Sequence, residues 1–122
     1  MTVIINPDPT LQNNLMAFGF DCEAGWYPLI EELIDLLNKE FPDKEIKVLQ
    51  VKEKYAGLRF DVSGGTEKSD RLIAFYEELS YHVCEKCSEF WTAKERVKSG
   101  WYKTLCDQCA KKFEWENIGE EK

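Results

Sequence analysis

The feature that most constrains this chain is a pair of Cys-x-x-Cys motifs, CEKC at residues 84–87 and CDQC at residues 106–109, separated by 18 residues. Two thiolates spaced by two residues can turn onto one metal ion, and an intervening hairpin can return the second pair to the same ion. The spacing therefore predicts one structural Zn²⁺ per chain, held by Cys84, Cys87, Cys106 and Cys109.

Paired cysteines also serve two other chemistries. A thioredoxin-like redox pair follows a strand within a βαβ pattern, and neither pair here does so clearly. A catalytic zinc usually keeps three protein ligands and one open position, whereas this pattern offers four thiolates. We therefore interpret the four cysteines as a closed structural site.

The residues between and after the two pairs predict the shape of this module. Residues 90–97 and 101–105 form a hairpin with a bend at Ser99-Gly100, and CAKKFEWEN (109–117) is typical of a helix. A knuckle, a hairpin and then cysteines that open a helix predict a treble-clef-like module over residues 84–115. A zinc ribbon, which places its second pair in a β-knuckle, is the alternative. Residues 116–122 are expected to form an acidic tail.

The preceding residues, 1–83, predict an α+β domain. Apolar residues recur at helical spacing over 26–41 and 67–83, and Pro42 ends the first of these segments. Alternating apolar residues around Val48 and Phe60 predict a hairpin that turns at Ala56-Gly57. The expected fold is α+β: two amphipathic helices packed on a small antiparallel sheet, with the zinc module continuing from the second helix.

Charge argues against a protein that coats DNA, because the net charge is −7. Residues 84–112 are the basic part, with seven basic and four acidic side chains. Four of these cations lie near Trp101 and form a candidate nucleic-acid-binding surface: Lys94, Arg96, Lys98 and Lys103.

No catalytic set is evident in the sequence. The single histidine, His82, cannot supply both the base and the metal ligands of a His-Asn-His nuclease. A small-molecule binder or an unrecognised enzyme remains as an alternative, with its pocket around Cys22, Trp26, Tyr55 and Arg59. The same four residues are the candidate surface for a protein partner.

Three segments together carry a family resemblance: FGFDCEAGWYPLIEEL, QVKEKYAGLRFDV, and CEKC followed by GWYKTLCDQCA. They resemble a group of small proteins encoded in phage and prophage genomes. The chain departs from the group's pattern at Ala56, where Gly is more usual, and at Glu23-Ala24. The resemblance implies a phage origin and a bacterial host cell, and it implies no particular activity.

From the resemblance and the missing catalytic set we expect an accessory protein that binds a host or phage protein, for example to inhibit a bacterial factor. The start, MTVIINPDPTLQNN, lacks the basic and apolar regions of a signal peptide, and no apolar run reaches the roughly 18 residues of a membrane span. We therefore expect a cytoplasmic protein without a membrane partner.

Overall fold

The computed structural model describes residues 21–44 and 46–118, so the first 20 residues of the predicted α+β domain and residues 119–122 of the predicted tail lie outside the described residues. The described residues form an α+β fold, as predicted. In chain order the elements are a 3₁₀ turn Ala24–Trp26, α1 Tyr27–Glu40, β1 Lys47–Lys54, β2 Gly57–Ser63, α2 Glu67–Leu79, a 3₁₀ turn Ser80–His82, β3 Lys94–Lys98, β4 Trp101–Leu105, α3 Asp107–Lys112 and β5 Glu116–Asn117.

The two long helices begin and end for local reasons. Pro28 occupies the first turn of α1, where its missing N–H costs nothing. Thr66 caps α2 through a reciprocal pair of hydrogen bonds with Ser69. The prediction that α2 runs to residue 83 is wrong, because the chain tightens into the 3₁₀ turn at Ser80–His82 and Val83 is already extended.

The first hairpin pairs β1 with β2 in antiparallel register, and its two-residue turn is Tyr55-Ala56 rather than the predicted Ala56-Gly57. Both turn residues have positive φ, 53° at Tyr55 and 74° at Ala56, which is the backbone of a type I′ turn. The Glu53 carboxylate accepts a hydrogen bond from the Ala56 N–H at 2.8 Å. Gly57 pairs with Lys54 and is the first residue of β2.

The main core lies between this hairpin and the two helices. Helix α2 packs on β2, and α1 packs on α2. The buried residues are Trp26, Leu29, Ile30, Leu33, Leu37, Ile46, Val51, Leu58, Phe60, Ile73 and Tyr76. Each large apolar side chain buried in this way contributes about 1.5–3 kcal/mol to stability.

The C-terminal part has a second, smaller core around Leu105 and Ala110 and a three-stranded sheet in the order β4-β3-β5. Strands β3 and β4 turn at Ser99-Gly100, as predicted, with φ values of 51° and 85°. The prediction for residues 109–117 needs correction, because α3 ends at Lys112 and Glu116–Asn117 pair with β3. The first two residues of the predicted acidic tail therefore belong to the sheet.

Among the residues that the structure describes, no helix combines the length and the apolar character needed to cross a bilayer.

Candidate metal centre and aromatic groove

The four predicted ligands come together at one point of the fold. The sulfur atoms of Cys84, Cys87, Cys106 and Cys109 all lie within 4.8 Å of one another, and those of Cys87 and Cys106 are 3.6 Å apart. A tetrahedral ion at 2.3 Å from each sulfur requires sulfurs about 3.8 Å apart. The cluster could therefore hold a metal ion, and its four soft donors suit a thiophilic one.

Local structure places each pair of cysteines. The first pair sits in a tight turn in which the Ser88 N–H donates to the Cys84 carbonyl at 2.9 Å, with Ser88 at a φ of 75°. The second pair opens α3. Cys106 is the residue that caps this helix, and its sulfur accepts the N–H of Cys109 at 3.4 Å.

The cluster does not favour the thiolate equally at all positions. Burial disfavours the charged form of Cys84, yet backbone N–H groups of Cys106, Cys87 and Lys86 hold the pKa of its thiol below the usual value. Burial and the neighbouring sulfurs raise the pKa of Cys109. A metal that binds here must therefore displace protons, which makes its affinity depend on pH.

The single histidine is not one of the four ligands. His82 lies in the 3₁₀ turn Ser80–His82, outside the cysteine cluster. It lines a separate pocket of about 400 Å³ together with Pro28 and Phe90.

The knuckle between Cys84 and Cys87 also binds the segment that precedes α1. The Gly25 N–H donates to the Glu85 carbonyl at 2.7 Å, and the Ser88 hydroxyl donates to the Gly25 carbonyl at 2.6 Å. The Glu23 N–H donates to the Glu85 carboxylate at 3.0 Å. The cysteine knuckle and the segment just before α1, about 60 residues apart in sequence, are therefore joined directly.

A partly buried ionic network reinforces this joint. The Lys103 ammonium lies 3.2 Å from the carboxylate of the fully buried Glu85 and 3.3 Å from that of Glu23, and the Lys86 ammonium lies 2.8 Å from Glu23. Burial raises the pKa of Glu85, although Lys103 partly offsets this. The two lysines thus compensate carboxylates inside the fold instead of facing solvent.

This network changes the interpretation of the candidate nucleic-acid surface. Lys103 is ion-paired with Glu23 and Glu85, and Arg96 is only 4% exposed. The Arg96 guanidinium donates to the Leu105 carbonyl at 3.0 Å and to the Asp107 carboxylate at 2.7 Å. Of the four expected cations, only Lys94 and Lys98 are exposed. The candidate nucleic-acid surface therefore has two exposed cations and not four.

The second candidate set, Cys22, Trp26, Tyr55 and Arg59, does not form one surface. Trp26 is fully buried, and its Nε1 donates to the Val83 carbonyl at 2.8 Å. Burial, followed by the carboxylates of Glu85 and Asp21, raises the pKa of Cys22 to about 12, so its thiol stays protonated at neutral pH. Arg59 is exposed on β2, and Tyr55 is exposed at the hairpin turn.

The two hairpin turns meet and leave a groove between them. The Thr104 hydroxyl donates to the Ala56 carbonyl at 2.8 Å, which fixes β4 to the first turn. The groove, which we call the hairpin groove, has a volume of about 370 Å³ and is lined by Glu53, Lys54, Tyr55, Gly100, Trp101 and Tyr102. Its rings are exposed to an unusual degree: 75% for Trp101, 70% for Tyr55 and 42% for Tyr102.

Sequence reasoning found Tyr55 and Trp101 but missed this groove. Two aromatic residues at or beside type I′ turns were the available signal, because side chains at such turns project from the sheet. What the pattern could not supply is the contact between the first turn and strand β4, because Ala56 and Thr104 are 48 residues apart.

No family model, curated protein or solved structure was found to match this chain. The fold and site therefore define the class by themselves. The chain is an α+β protein with small antiparallel sheets and a cluster of four cysteines that could bind a metal ion.

Proposed function

We propose that the four cysteines hold one structural Zn²⁺ in a treble-clef-like module. The support is the order of the local structures: a cysteine knuckle, the β3–β4 hairpin, and then Cys106 and Cys109 in the first turn of α3. Four thiolates fill a tetrahedral shell, so no open position remains for catalysis. The ion would stabilise the small second core, which has few apolar residues of its own.

Metal analysis tests this part of the proposal. We expect about one Zn²⁺ per purified chain and loss of that metal in Cys106→Ser. The matched control is Cys22→Ala, which removes the fifth cysteine and should leave the metal content unchanged. A wild-type chain that stays fully folded without metal in excess chelator contradicts the structural role.

We further propose that the protein is a non-enzymatic accessory protein that binds a host or phage protein through the hairpin groove. The observation that carries this proposal is the exposure of Tyr55, Trp101 and Tyr102 around one concave surface. Tyr and Trp are the residues most enriched at the energetic centres of protein interfaces. Trp91 is just as exposed, so what favours binding here is that these three rings line one groove.

The groove is also preorganised, which lowers the entropic cost of binding. Besides the bond from Thr104, the Ser80 hydroxyl accepts the Leu58 N–H at 2.9 Å and holds the start of β2. From the resemblance to phage and prophage proteins we propose that the protein acts in a bacterial cytoplasm. Inhibition of a bacterial factor is the specific version that we propose.

A nucleic-acid-binding module is the second candidate. Lys94 and Lys98 are exposed, and Lys54 lies beside the aromatic rings that a base could stack on. The net charge of −7 and the commitment of Arg96 and Lys103 to internal partners weigh against it.

Affinity capture from bacterial lysate, read by mass spectrometry, tests the proposed function. Wild type, Trp101→Thr and Trp91→Ser serve as baits, each with and without nuclease. Trp91 is the matched control, because it is 80% exposed but lies outside the groove.

We expect one protein to be enriched by wild type and by Trp91→Ser, to be lost with Trp101→Thr, and to persist after nuclease. Enrichment that disappears with nuclease supports the nucleic-acid candidate instead. Enrichment that depends on Trp91 and not on Trp101 contradicts binding through the hairpin groove.

A further inference from the structure

The charges of the hairpin groove indicate the chemistry of its occupant. Glu53 is the acidic side chain of the lining and is half-buried. Its carboxylate accepts the Ala56 N–H at 2.8 Å, and no Lys or Arg of residues 21–44 and 46–118 lies within ion-pair distance of it. The groove therefore offers a carboxylate that forms no ion pair with any of the described residues, although the exposed Lys54 also lies in the lining.

Two other acids, the buried Glu85 and the partly exposed Glu23, contrast with Glu53. The carboxylates of Glu23 and Glu85 are neutralised by Lys86 and Lys103, as described above. Both lysines are held inside that network, so neither is free to neutralise Glu53. A cation supplied by a partner would complete the pattern of charge pairing in this part of the molecule.

The aromatic rings of the groove favour the same occupant. A cation is attracted to the face of Trp more strongly than to other rings, and Tyr follows. The groove itself contains one example, because the Lys54 ammonium lies 5.6 Å from the centroid of the Tyr55 ring. Lys54 is exposed and flexible enough to be displaced by an incoming cation.

The charge of the whole protein adds a long-range contribution. With a net charge of −7, the chain attracts basic surfaces and repels polyanions at a distance. This effect raises the rate of encounter with a basic partner, while the groove supplies the specific contact.

We propose that the hairpin groove binds a Lys- or Arg-bearing segment of a partner protein, with the cationic side chain stacked on Trp101 and Tyr55 and paired with Glu53. This inference rests on the proposed protein-binding function and adds the class of partner that the groove recognises.

A peptide titration of the zinc-loaded full chain tests the inference. The probes are a soluble peptide of Ser-Gly-Arg repeats, the same peptide with citrulline in place of arginine, and an oligothymidylate. Citrulline keeps the shape of arginine and removes its charge. Binding is followed by NMR of the tryptophan indole N–H signals.

We expect the arginine peptide to shift the Trp101 signal and leave the Trp91 signal unchanged. The citrulline peptide should bind at least about tenfold more weakly.

Three variants of the groove should each bind the arginine peptide about threefold to thirtyfold more weakly than wild type: Trp101→Thr, Tyr55→Asn and Glu53→Gln. Asn suits the positive φ of Tyr55, and Gln keeps an oxygen for the Ala56 N–H, so both variants should fold. Glu40→Gln, an exposed acid on α1, is the charge control and should have no effect.

Lys54→Gln separates the two classes of partner. It removes a competing cation, so it should leave the arginine peptide bound as tightly or more tightly. Weaker binding of the arginine peptide in this variant overturns the proposal. The proposal is also overturned if wild type binds oligothymidylate and Lys54→Gln abolishes that binding.

Equal affinity for the citrulline peptide, or no binding of the arginine peptide, also overturns the proposal. The lysate experiment distinguishes these failures from failure of the proposed function. A protein captured through Trp101 while the arginine peptide does not bind preserves the function and excludes the cationic segment.

Discussion

The backbone N–H of Gly25 donates to the backbone carbonyl of Glu85 at 2.7 Å, which joins the start of α1 to the turn between the first two cysteines. The two backbone segments approach so closely that a Cβ on Gly25 would overlap the Cys84 carbonyl oxygen and the Glu85 carbonyl carbon. Gly25 does not have a positive φ. Glycine is therefore required at this position by proximity and not by backbone conformation.

Gly25→Ala should consequently destabilise the protein by about 3 kcal/mol, because backbone atoms on both sides must move to admit one methyl group. Chemical denaturation in the presence of added Zn²⁺ measures the change. Gly100→Asn is the matched control: Gly100 has open space around it, and Asn tolerates its φ of 85°. A loss below about 1 kcal/mol in Gly25→Ala contradicts the close approach.

Metal removal should weaken the α+β part as well as the cysteine module. The knuckle supplies three hydrogen bonds to residues 23–25, from Glu85 and Ser88, and each contributes about 1 kcal/mol. We expect a loss of about 3 kcal/mol in that part, or roughly 12–24 °C in its melting temperature.

The indole N–H signal of Trp26 reports this effect, because its partner is the Val83 carbonyl, just before Cys84. The signal should shift on chelation and in Cys106→Ser, and should stay in place in Cys22→Ala. An unchanged Trp26 signal in the metal-free chain shows that the two parts are independent.

Local features were readable from the sequence because their causes are local. Helix α1 was placed at 26–41 and spans Tyr27–Glu40, since Pro28 and Pro42 limit it at both ends. The Ser99-Gly100 turn and the meeting of the four cysteines likewise follow from residue types at fixed spacing.

The roles of the charged residues were not readable, because their partners are distant in sequence. Arg96 and Lys103 were expected at the surface, yet Arg96 binds Asp107 and Lys103 binds Glu85 inside the fold. Strand β5 was missed for a related reason. Two residues give no periodic pattern, and only the pairing of Glu116–Asn117 with β3 defines them as a strand.

The contact between the two hairpins leads to a further prediction. The Thr104 side chain is fully buried, and its hydroxyl donates to the Ala56 carbonyl. Thr104→Val keeps the shape and leaves that carbonyl without its donor, which should cost about 1–3 kcal/mol. Denaturation measures the loss. Thr104→Ser, which keeps the hydroxyl donor, is the control, and equal effects in both variants contradict a specific contact between the hairpins.

Glu77 should give the protein a pH dependence that is separate from the four-cysteine cluster. Its half-buried carboxylate accepts the Phe60 N–H at 2.9 Å, and burial raises its pKa above the usual 4.5, although this hydrogen bond and Arg59 oppose the shift. The folded state therefore binds the proton more tightly than the unfolded state. The contribution of Glu77 to stability is fully present below pH 4.5 and is lost as the pH rises through its folded-state pKa.

Glu77→Gln keeps an oxygen for the Phe60 N–H and removes the titration. Relative to wild type, the variant should gain stability as the pH is raised from about 4 to 7, and the two proteins should be closest in stability at the acidic end. Melting temperatures of both proteins across this range provide the measurement. Because any metal loss in acid affects both proteins alike, it cancels in the difference. A difference that stays constant with pH, or that shrinks as the pH rises, contradicts the raised pKa of Glu77.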